Sequence, residues 1–143
     1  MKELGNGELS LVISGVRQLT PQIRAYELRH IHGHALPKIS AGSHIQVPVL
    51  LANNKTSWRH YSISSNPNRT DCYEISVKKE RNGHGGSQAV HQQYQLGLVL
   101  HCQSPENYFP LVPQSTNSIL IAAGIGVTPI KSMALALLAN NAT

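Results

Sequence analysis

Six short segments in the first 102 residues read as strands separated by turn-forming residues, and four of them alternate apolar and polar side chains. Successive side chains of a strand point to opposite faces, so this alternation indicates strands with one buried face. Several such strands joined by turns predict an antiparallel barrel or sandwich. We place the strands at residues 9–16, 23–31, 44–51, 58–64, 73–79 and 98–102.

The pattern changes near Pro113. Residues 118–123 form a continuous apolar run, which is typical of a parallel strand buried on both faces. Residues 124–129 follow as a tight turn with two glycines, and residues 130–139 have the Ala, Leu and Met content of a helix. A strand, a glycine turn and a helix together form the first unit of an α/β nucleotide-binding fold.

We therefore predict a mainly β chain in two parts. Residues 1–112 form an antiparallel Greek-key β-barrel with one short helix at residues 87–94, whose start Ser87 caps. Residues 113–143 form the first β-α unit of an α/β nucleotide-binding domain. Because a parallel strand needs further strands beside it, we expect this second domain to be incomplete and the chain to be a truncated piece of a longer protein.

Composition and charge restrict the kinds of protein that this chain can be, but they do not indicate its function. Hydrophobic residues make up 41% and charged residues 13%, which is typical of a globular chain. No run reaches the about 18 apolar residues of a membrane-spanning helix, and residues 1–7 lack the apolar stretch of a secretory signal. We predict a cytoplasmic protein with no membrane partner. The net charge of +5 comes from scattered basic residues, so it does not predict a nucleic-acid partner.

The first motif that suggests chemistry is Arg59-His60-Tyr61-Ser62, on a predicted strand. A planar redox ring needs an aromatic side chain to lie on, and a phosphate needs a fixed guanidinium group. Alternation places Arg59 and Tyr61 on one face, about 7 Å apart, and Ser62 on the other. The same residues also fit an ordinary strand with an exposed arginine and a packed tyrosine.

Two glycine-rich turns are candidate anion sites. Residues 82–87 precede the short helix, where free backbone N–H groups and a hydroxyl can bind a phosphate, and Lys78 adds positive charge nearby. Residues 124–129 follow the predicted buried strand, at the end where open α/β sheets place their ligands. Each turn alone is also compatible with a simple connection.

The order and spacing of four motifs give a more specific indication. They are residues 59–62, residues 85–87, the proline-bounded segment at residues 105–111, and residues 124–129. Together they resemble the ferredoxin–NADP reductase superfamily, most closely the branch of phthalate dioxygenase reductase and vanillate demethylase reductase. The resemblance covers nearly the whole chain, although Ala123 stands where the family usually has a glycine.

The resemblance implies a flavin site. In that branch the arginine of the first motif pairs with the flavin phosphate, the tyrosine stacks on the ring, and the serine lies near the N5 atom that accepts hydride. Arg59, His60 and Tyr61 would therefore bind the cofactor, and Ser62 would be both a binding and a catalytic residue. Further contacts are implied for Ser76, Val77 and Lys78 beside the ring and ribityl chain, for Gly85, Gly86 and Ser87 at the phosphate, and for Gly124, Gly126 and Thr128 at the nicotinamide.

The activity implied by the resemblance is that of an NAD(P)H-dependent flavin reductase. Electrons would pass from NAD(P)H through the flavin to an iron–sulfur or haem partner, such as an oxygenase. The cofactor would be FMN or FAD, and the branch favours FMN by a narrow margin. Most of the nicotinamide domain and the cysteine-ligated iron–sulfur domain of this branch are missing from the sequence.

Two alternatives remain open at this point. One is a non-catalytic module that binds a flavin or another nucleotide, and the other is a barrel that binds oligonucleotides. The positive charge permits the second, but only 5% of residues are aromatic and basic residues are not interleaved with them.

The remaining histidines and cysteines are assigned to ordinary positions. His30, His32 and His34 alternate, but Gly33 interrupts the strand that would align them, so no metal site is predicted. We likewise expect His84 and His91 at the surface. The two cysteines have no metal-binding spacing, and we expect them to be free thiols.

Overall fold

The computed structural model describes residues 1–112 and 117–140. In chain order the elements are β1 Glu3–Gly5, β2 Leu9–Thr20, β3 Ile23–His30, β4 His44–Leu50, β5 Thr56–Ser62, β6 Tyr73–Lys78, α1 Gly86–Gln93, β7 Val99–Cys102 and α2 Val127–Ala139. A 3-10 turn, Gly124–Gly126, leads directly into α2. The mainly β class is confirmed, and all six predicted barrel strands are present with shifted ends.

The strands form two sheets that enclose one core. Five strands are ordered β1-β7-β2-β3-β6, and β4 pairs with β5 in a second sheet. Single backbone bonds join the sheets beyond the strand ends, from Ser64 N–H to the Glu74 carbonyl at 2.8 Å and from Gln103 N–H to the Gln46 carbonyl at 3.2 Å. The sheets are therefore not closed into one continuous ladder. Among the strands of residues 1–112, every pair is antiparallel except β1 with β7, which is parallel.

The core lies between the two sheets and is built from alternate strand residues. Both sheets contribute, because each has one face that is apolar and one that is polar. Side chains with almost no exposure are Leu11, Ile13, Tyr26, Leu28, Ile45, Val47, Val49, Ile63, Tyr73, Ile75, Val77 and Leu100. Helix α1 packs onto β4 and β6, where the Tyr94 hydroxyl after its last turn donates to the Pro48 carbonyl at 2.6 Å.

Helix α1 begins one residue earlier than predicted, and its start differs from the prediction. Gly85 is the N-cap residue, with a φ of 84° that a side chain would strain, and none of the described side chains caps the helix. Ser87 lies inside the first turn, where its Oγ accepts a hydrogen bond from Glu80 N–H at 2.9 Å. The prediction that Ser87 caps the helix is therefore wrong.

His91 is another correction, because the inner face of α1 packs against β6. His91 is buried rather than exposed, and its Nε2 lies 2.8 Å from the Val77 carbonyl. The histidine thus fastens the helix to the strand next to it.

The predicted parallel strand at residues 118–123 is wrong. The segment forms no strand, and Ile119 and Ile121 are 90% and 82% exposed. A parallel strand is held by hydrogen bonds to its neighbours, and no described strand lies beside this segment to pair with it.

The predicted helix that follows is confirmed as α2. The proposed boundary at Pro113 lies outside the described residues. Within those residues, neither helix is long and apolar enough to cross a membrane.

Two leucines near one another in sequence test the location of the core. Leu100 is fully buried, whereas Leu96 is 67% exposed. We expect Leu100→Ala to lower the free energy of unfolding by about 2–5 kcal/mol, because it removes buried methyl groups and leaves a cavity. The matched Leu96→Ala change should cost less than about 0.5 kcal/mol. Urea unfolding followed by circular dichroism measures both, and equal losses would contradict the described core.

Candidate functional site

A cavity of about 490 Å³ lies where β5, β6, the loop before α1 and the turn before α2 meet. In the described part of the chain β5 pairs only with β4, so the cavity runs along the other edge of β5. Residues from both faces of this strand reach its edge, so Ser62 lines the cavity together with Arg59 and Tyr61 although alternation places it on the other face. The cavity brings together most of the predicted site residues: Arg59, His60, Tyr61, Ser62, Ser76, Lys78, Gly86, Ser87, Gly126 and Thr128.

Three predicted site residues do not line this cavity. The Val77 side chain points into the core, and its carbonyl is the group that His91 contacts. Gly85 lines a neighbouring groove on the other side of α1, and Gly124 lines a groove beneath α2. Gly85 and Gly124 both have positive φ, 84° and 56°, so they shape the turns that present Gly86 and Gly126.

The Arg59 guanidinium lies directly against Gly86 at the start of α1. A Cβ atom on Gly86 would stand 2.0 Å from Nε of Arg59, so only glycine permits this approach. The Nη1 atom of Arg59 donates to the Ser57 hydroxyl and to the Trp58 carbonyl, both at 2.8 Å. These two bonds fix the plane of the guanidinium. Both are donated by Nη1, and neither involves Nε or Nη2. Its position is therefore set before any ligand arrives.

The loop before α1 is fixed by the first residues of the helix itself. Gln88 Nε2 donates to the carbonyls of Glu80 and Arg81 at 3.1 and 3.2 Å. Because the Ser87 oxygen accepts the Glu80 N–H, the hydroxyl hydrogen of Ser87 is free to be donated elsewhere. The first N–H groups of a helix have no partner within the helix and carry partial positive charge. The start of α1 and Arg59 together form a site suited to a phosphate.

Tyr61 supplies a neutral aromatic surface beside this anion site. It is half-buried and packs against the hydrophobic core. Burial raises the pKa of its phenol from the ordinary 10.0 to about 12, and the nearby Arg59 charge opposes that rise. The phenol is therefore uncharged at physiological pH, and its ring is held by core contacts rather than by exposed loops.

Glu80 lines the cavity although no sequence motif included it. Gly83, His84, Ile125 and Pro129 also line it, and they belong to the two glycine-rich turns predicted as anion sites, although His84 itself was expected at an ordinary surface position. Glu80 reaches the cavity because its loop folds back toward β5, which no local pattern predicts. In the structure its Oε1 lies 3.9 Å from Lys78 Nζ.

The three alternating histidines lie elsewhere, at the end of β3. The His30 and His34 rings stack with centroids 4.7 Å apart, and His32 lies within 6 Å of both. Among residues 1–112 and 117–140, no group of three or more possible ligands is arranged to hold a metal ion.

The residues present fit a phosphorylated, planar aromatic cofactor. Gly86 lets the Arg59 side chain lie against the start of α1, Arg59 and the helix start provide positive charge, and Tyr61 provides a flat surface. This combination at the edge of a β-barrel defines the class of flavin-binding modules found in reductases.

Comparison with known proteins gives the family. Residues 10–110 match the model of the oxidoreductase FAD-binding domain, and the chain belongs to this family. It is 41% identical over 126 residues to the vanillate O-demethylase oxidoreductase of Acinetobacter baylyi, covering 88% of this chain and 38% of that protein. It is 39% identical over 120 residues to the carnitine monooxygenase reductase subunit of Escherichia coli, covering 84% and 37%.

A solved structure supports the same assignment. Phthalate dioxygenase reductase, described as a modular structure for electron transfer from pyridine nucleotides to a 2Fe–2S centre, superposes with a TM-score of 0.86. The sequences are 33% identical, and the match covers 94% of this chain and 40% of that one. The predicted resemblance is thereby confirmed. The chain spans about two-fifths of the length of the relatives it matches.

The raised pKa of Tyr61 predicts a loss of stability at high pH. The phenol ionises near pH 10 in the unfolded chain but only near 12 in the folded one, so the unfolded state loses a proton first. Stability from this group is therefore complete below pH 10 and is lost as the pH rises toward 12. We expect Tyr61→Phe to flatten the fall in the free energy of unfolding over this range. Urea unfolding should give equal slopes for both proteins between pH 7 and 9, and an equally steep fall above pH 10 would contradict the assignment.

The contact between Arg59 and Gly86 predicts a specific coupling. Gly86→Ala should displace the guanidinium and weaken FMN binding by roughly 10- to 100-fold, the value of one or two charge-assisted hydrogen bonds. The matched control is the same change in an Arg59→Ala chain, where the methyl group has no guanidinium to displace. Fluorescence titration with FMN measures all four proteins. Additive losses from the two changes would show that the contact does not position Arg59.

Proposed function

We propose that this chain is the flavin-binding module of a reductase that takes electrons from NAD(P)H and passes them to an iron–sulfur or haem partner of an oxygenase system. The observation that carries the proposal is the cavity itself, which combines a phosphate site, an aromatic surface and the glycine turn before α2. The names of the relatives support it, because one is a vanillate O-demethylase oxidoreductase and another a carnitine monooxygenase reductase subunit.

In this proposal each residue has a defined task. Arg59, the N–H groups at the start of α1 and the Ser87 hydroxyl bind the phosphate, and Tyr61 orients the ring. Ser62 and Ser76 lie in the same cavity with hydroxyls available to polar atoms of the ring, and Ser62 is the candidate for the hydrogen bond to N5. A bound flavin can accept a hydride and then release single electrons. The protein residues bind it and shape its electrostatic surroundings.

The part of the cavity formed by the turn before α2 and the first turn of α2 is proposed to receive the nicotinamide. Ile125, Gly126, Thr128 and Pro129 form this wall. The Thr128 hydroxyl donates to the Ile125 carbonyl at 3.1 Å, which tightens the turn. Gly126 has no side chain, which leaves room at this wall for a second planar group.

FMN is the cofactor that we propose, with FAD as the alternative. A terminal phosphate suits the site of Arg59 and α1, where a helix start stabilises a dianion. A specific observation keeps FAD in consideration: a second groove of about 570 Å³ lies on the far side of the same glycine loop and shares His84 with the cavity. Polar side chains of Asn53, Gln88 and Gln92 line this groove and could contact an adenosine group.

The same proposal includes the division of the chain into domains and the cellular compartment of the protein. We propose that residues 1–112 form the flavin domain and that residues 113–143 begin the nicotinamide domain, with α2 as its first helix. We also propose a soluble protein of the cytoplasm, a reducing compartment in which thiols persist. The state of Cys72 and Cys102 supports this, because both are buried and free.

Binding of three flavins tests the phosphate site directly. We expect Arg59→Ala to weaken FMN binding by roughly 10- to 100-fold, since it removes charge-assisted hydrogen bonds, and to change the binding of riboflavin, which has no phosphate, by less than about two-fold. Arg81→Ala removes an equal charge from an exposed position in the adjacent loop and is the matched control. Arg59→Lys should be intermediate, because it keeps the charge but loses the planar fork.

Fluorescence titration with FMN, FAD and riboflavin measures these affinities. Tighter binding of FAD than of FMN would select the dinucleotide. Equal affinity for FMN and riboflavin in the unmodified chain would overturn the assignment of Arg59 and α1 as the phosphate site. A folded chain that binds none of the three would overturn the proposed function.

A further inference from the structure

The carboxylate of Glu74 on β6 contacts three separate parts of the chain. Its Oε1 lies 3.1 Å from Nζ of Lys131 on α2, and its Oε2 lies 3.9 Å from Nη2 of Arg17 on β2. The hydroxyl of the buried Ser64 donates to Oε1 at 3.4 Å. Only 24% of the Glu74 side chain is exposed. The carboxylate is thus held in place and partly shielded from solvent, which strengthens an ion pair relative to one between two free surface chains.

Helix α2 has few other attachments to the barrel. Of its thirteen residues, only Ser132 and Met133 are buried. Among the described residues, Glu74–Lys131 is the ion pair that joins α2 to the five-stranded sheet. A helix with so little buried surface depends more on each remaining contact, because packing supplies most helix stability in proteins.

Movement of α2 would alter the proposed flavin cavity. The first turn of α2 and the turn before it supply one wall of that cavity, through residues 125–129. Ser76 lies two residues beyond Glu74 on β6, and residues two apart on a strand share a face. Ser76 lines both the cavity and the groove beneath α2. The position of α2 over Glu74 therefore sets the distance between the glycine turn and Ser76.

We propose that Glu74 and Lys131 are positioning residues, whose ion pair holds α2 against β6 and fixes the wall of the cavity formed by residues 125–129. In the proposed function this wall is where the nicotinamide approaches the flavin ring, so that consequence rests on the proposed function. The attachment of α2 itself does not, and it can be measured without any cofactor.

Hydrogen exchange of the flavin-free chain tests the attachment. Glu74→Gln or Lys131→Gln should speed exchange of the α2 amides about two- to five-fold, as expected for loss of a partly exposed ion pair, and leave β2 and β3 unchanged. The double variant should exchange no faster than either single one. Lys131→Arg should restore the original rate because it keeps the charge.

Glu8→Gln and Lys38→Gln are the matched controls, since both residues are exposed and far from α2 in sequence. Exchange rates in the Glu74→Gln and Lys131→Gln variants that equal those of the controls, or effects of the two changes that simply add, would overturn the ion pair as the attachment.

The rate of FMN release tests the link to the cavity. We expect Lys131→Gln to release FMN about two- to five-fold faster, by the fluorescence of free FMN after dilution, with Lys131→Arg restoring the slow rate. The thermal unfolding midpoint should stay the same, which separates a shifted wall from a weakened barrel. Faster α2 exchange with unchanged FMN release would overturn the positioning role. A chain that binds no FMN would overturn the proposed function, while hydrogen exchange would still decide the attachment.

Discussion

The approach of the Arg59 guanidinium to Gly86 is the contact on which the candidate site depends. It joins a strand of the smaller sheet to the start of α1, and it exists only because position 86 has no Cβ. Further contacts keep the helix from shifting away: Gln93 exchanges hydrogen bonds with the backbone of Leu50, and His91 contacts Val77. The helix is therefore fastened to both sheets. Positive charge from a side chain and from a helix end meet at one place whose position the core determines.

The same arrangement explains why the cavity has a rigid surface at Tyr61 and yet leaves room for a ligand to enter. Tyr61 packs against buried side chains on one side and borders the cavity on the other, so its ring is oriented by the core. Another part of the lining comes from α2 and the turn before it, and α2 has little buried surface of its own. A rigid surface for one planar group thus lines the same cavity as a wall that is held by fewer contacts. Such an asymmetry suits a site where one ligand stays bound and a second arrives and leaves.

Much of this fold could be predicted from the sequence, because the strands carry a clear period of two and the four motifs occur in a known order. β1 could not, since three residues are too few to show any period. Residues 118–123 were predicted as a strand because a continuous apolar run is typical of a buried strand. A strand also needs neighbouring strands to pair with, and the described chain provides none beside this segment. Glu80 entered the site only through the folding of a loop. Ser87 was predicted as a cap because serine often is one, but the left-handed conformation of Gly85 begins the helix instead.

The parallel pairing of β1 with β7 has a mechanical consequence. The chain enters β1 at Glu3 and leaves β7 at Cys102, and because the two strands run in the same direction, these points lie at opposite ends of the pair. Tension between the start of the chain and the segment that leads to α2 would therefore pull the strands past each other lengthwise. The hydrogen bonds between β1 and β7 would share the load at once instead of opening one after another. The short strand β1 therefore resists being pulled off the sheet.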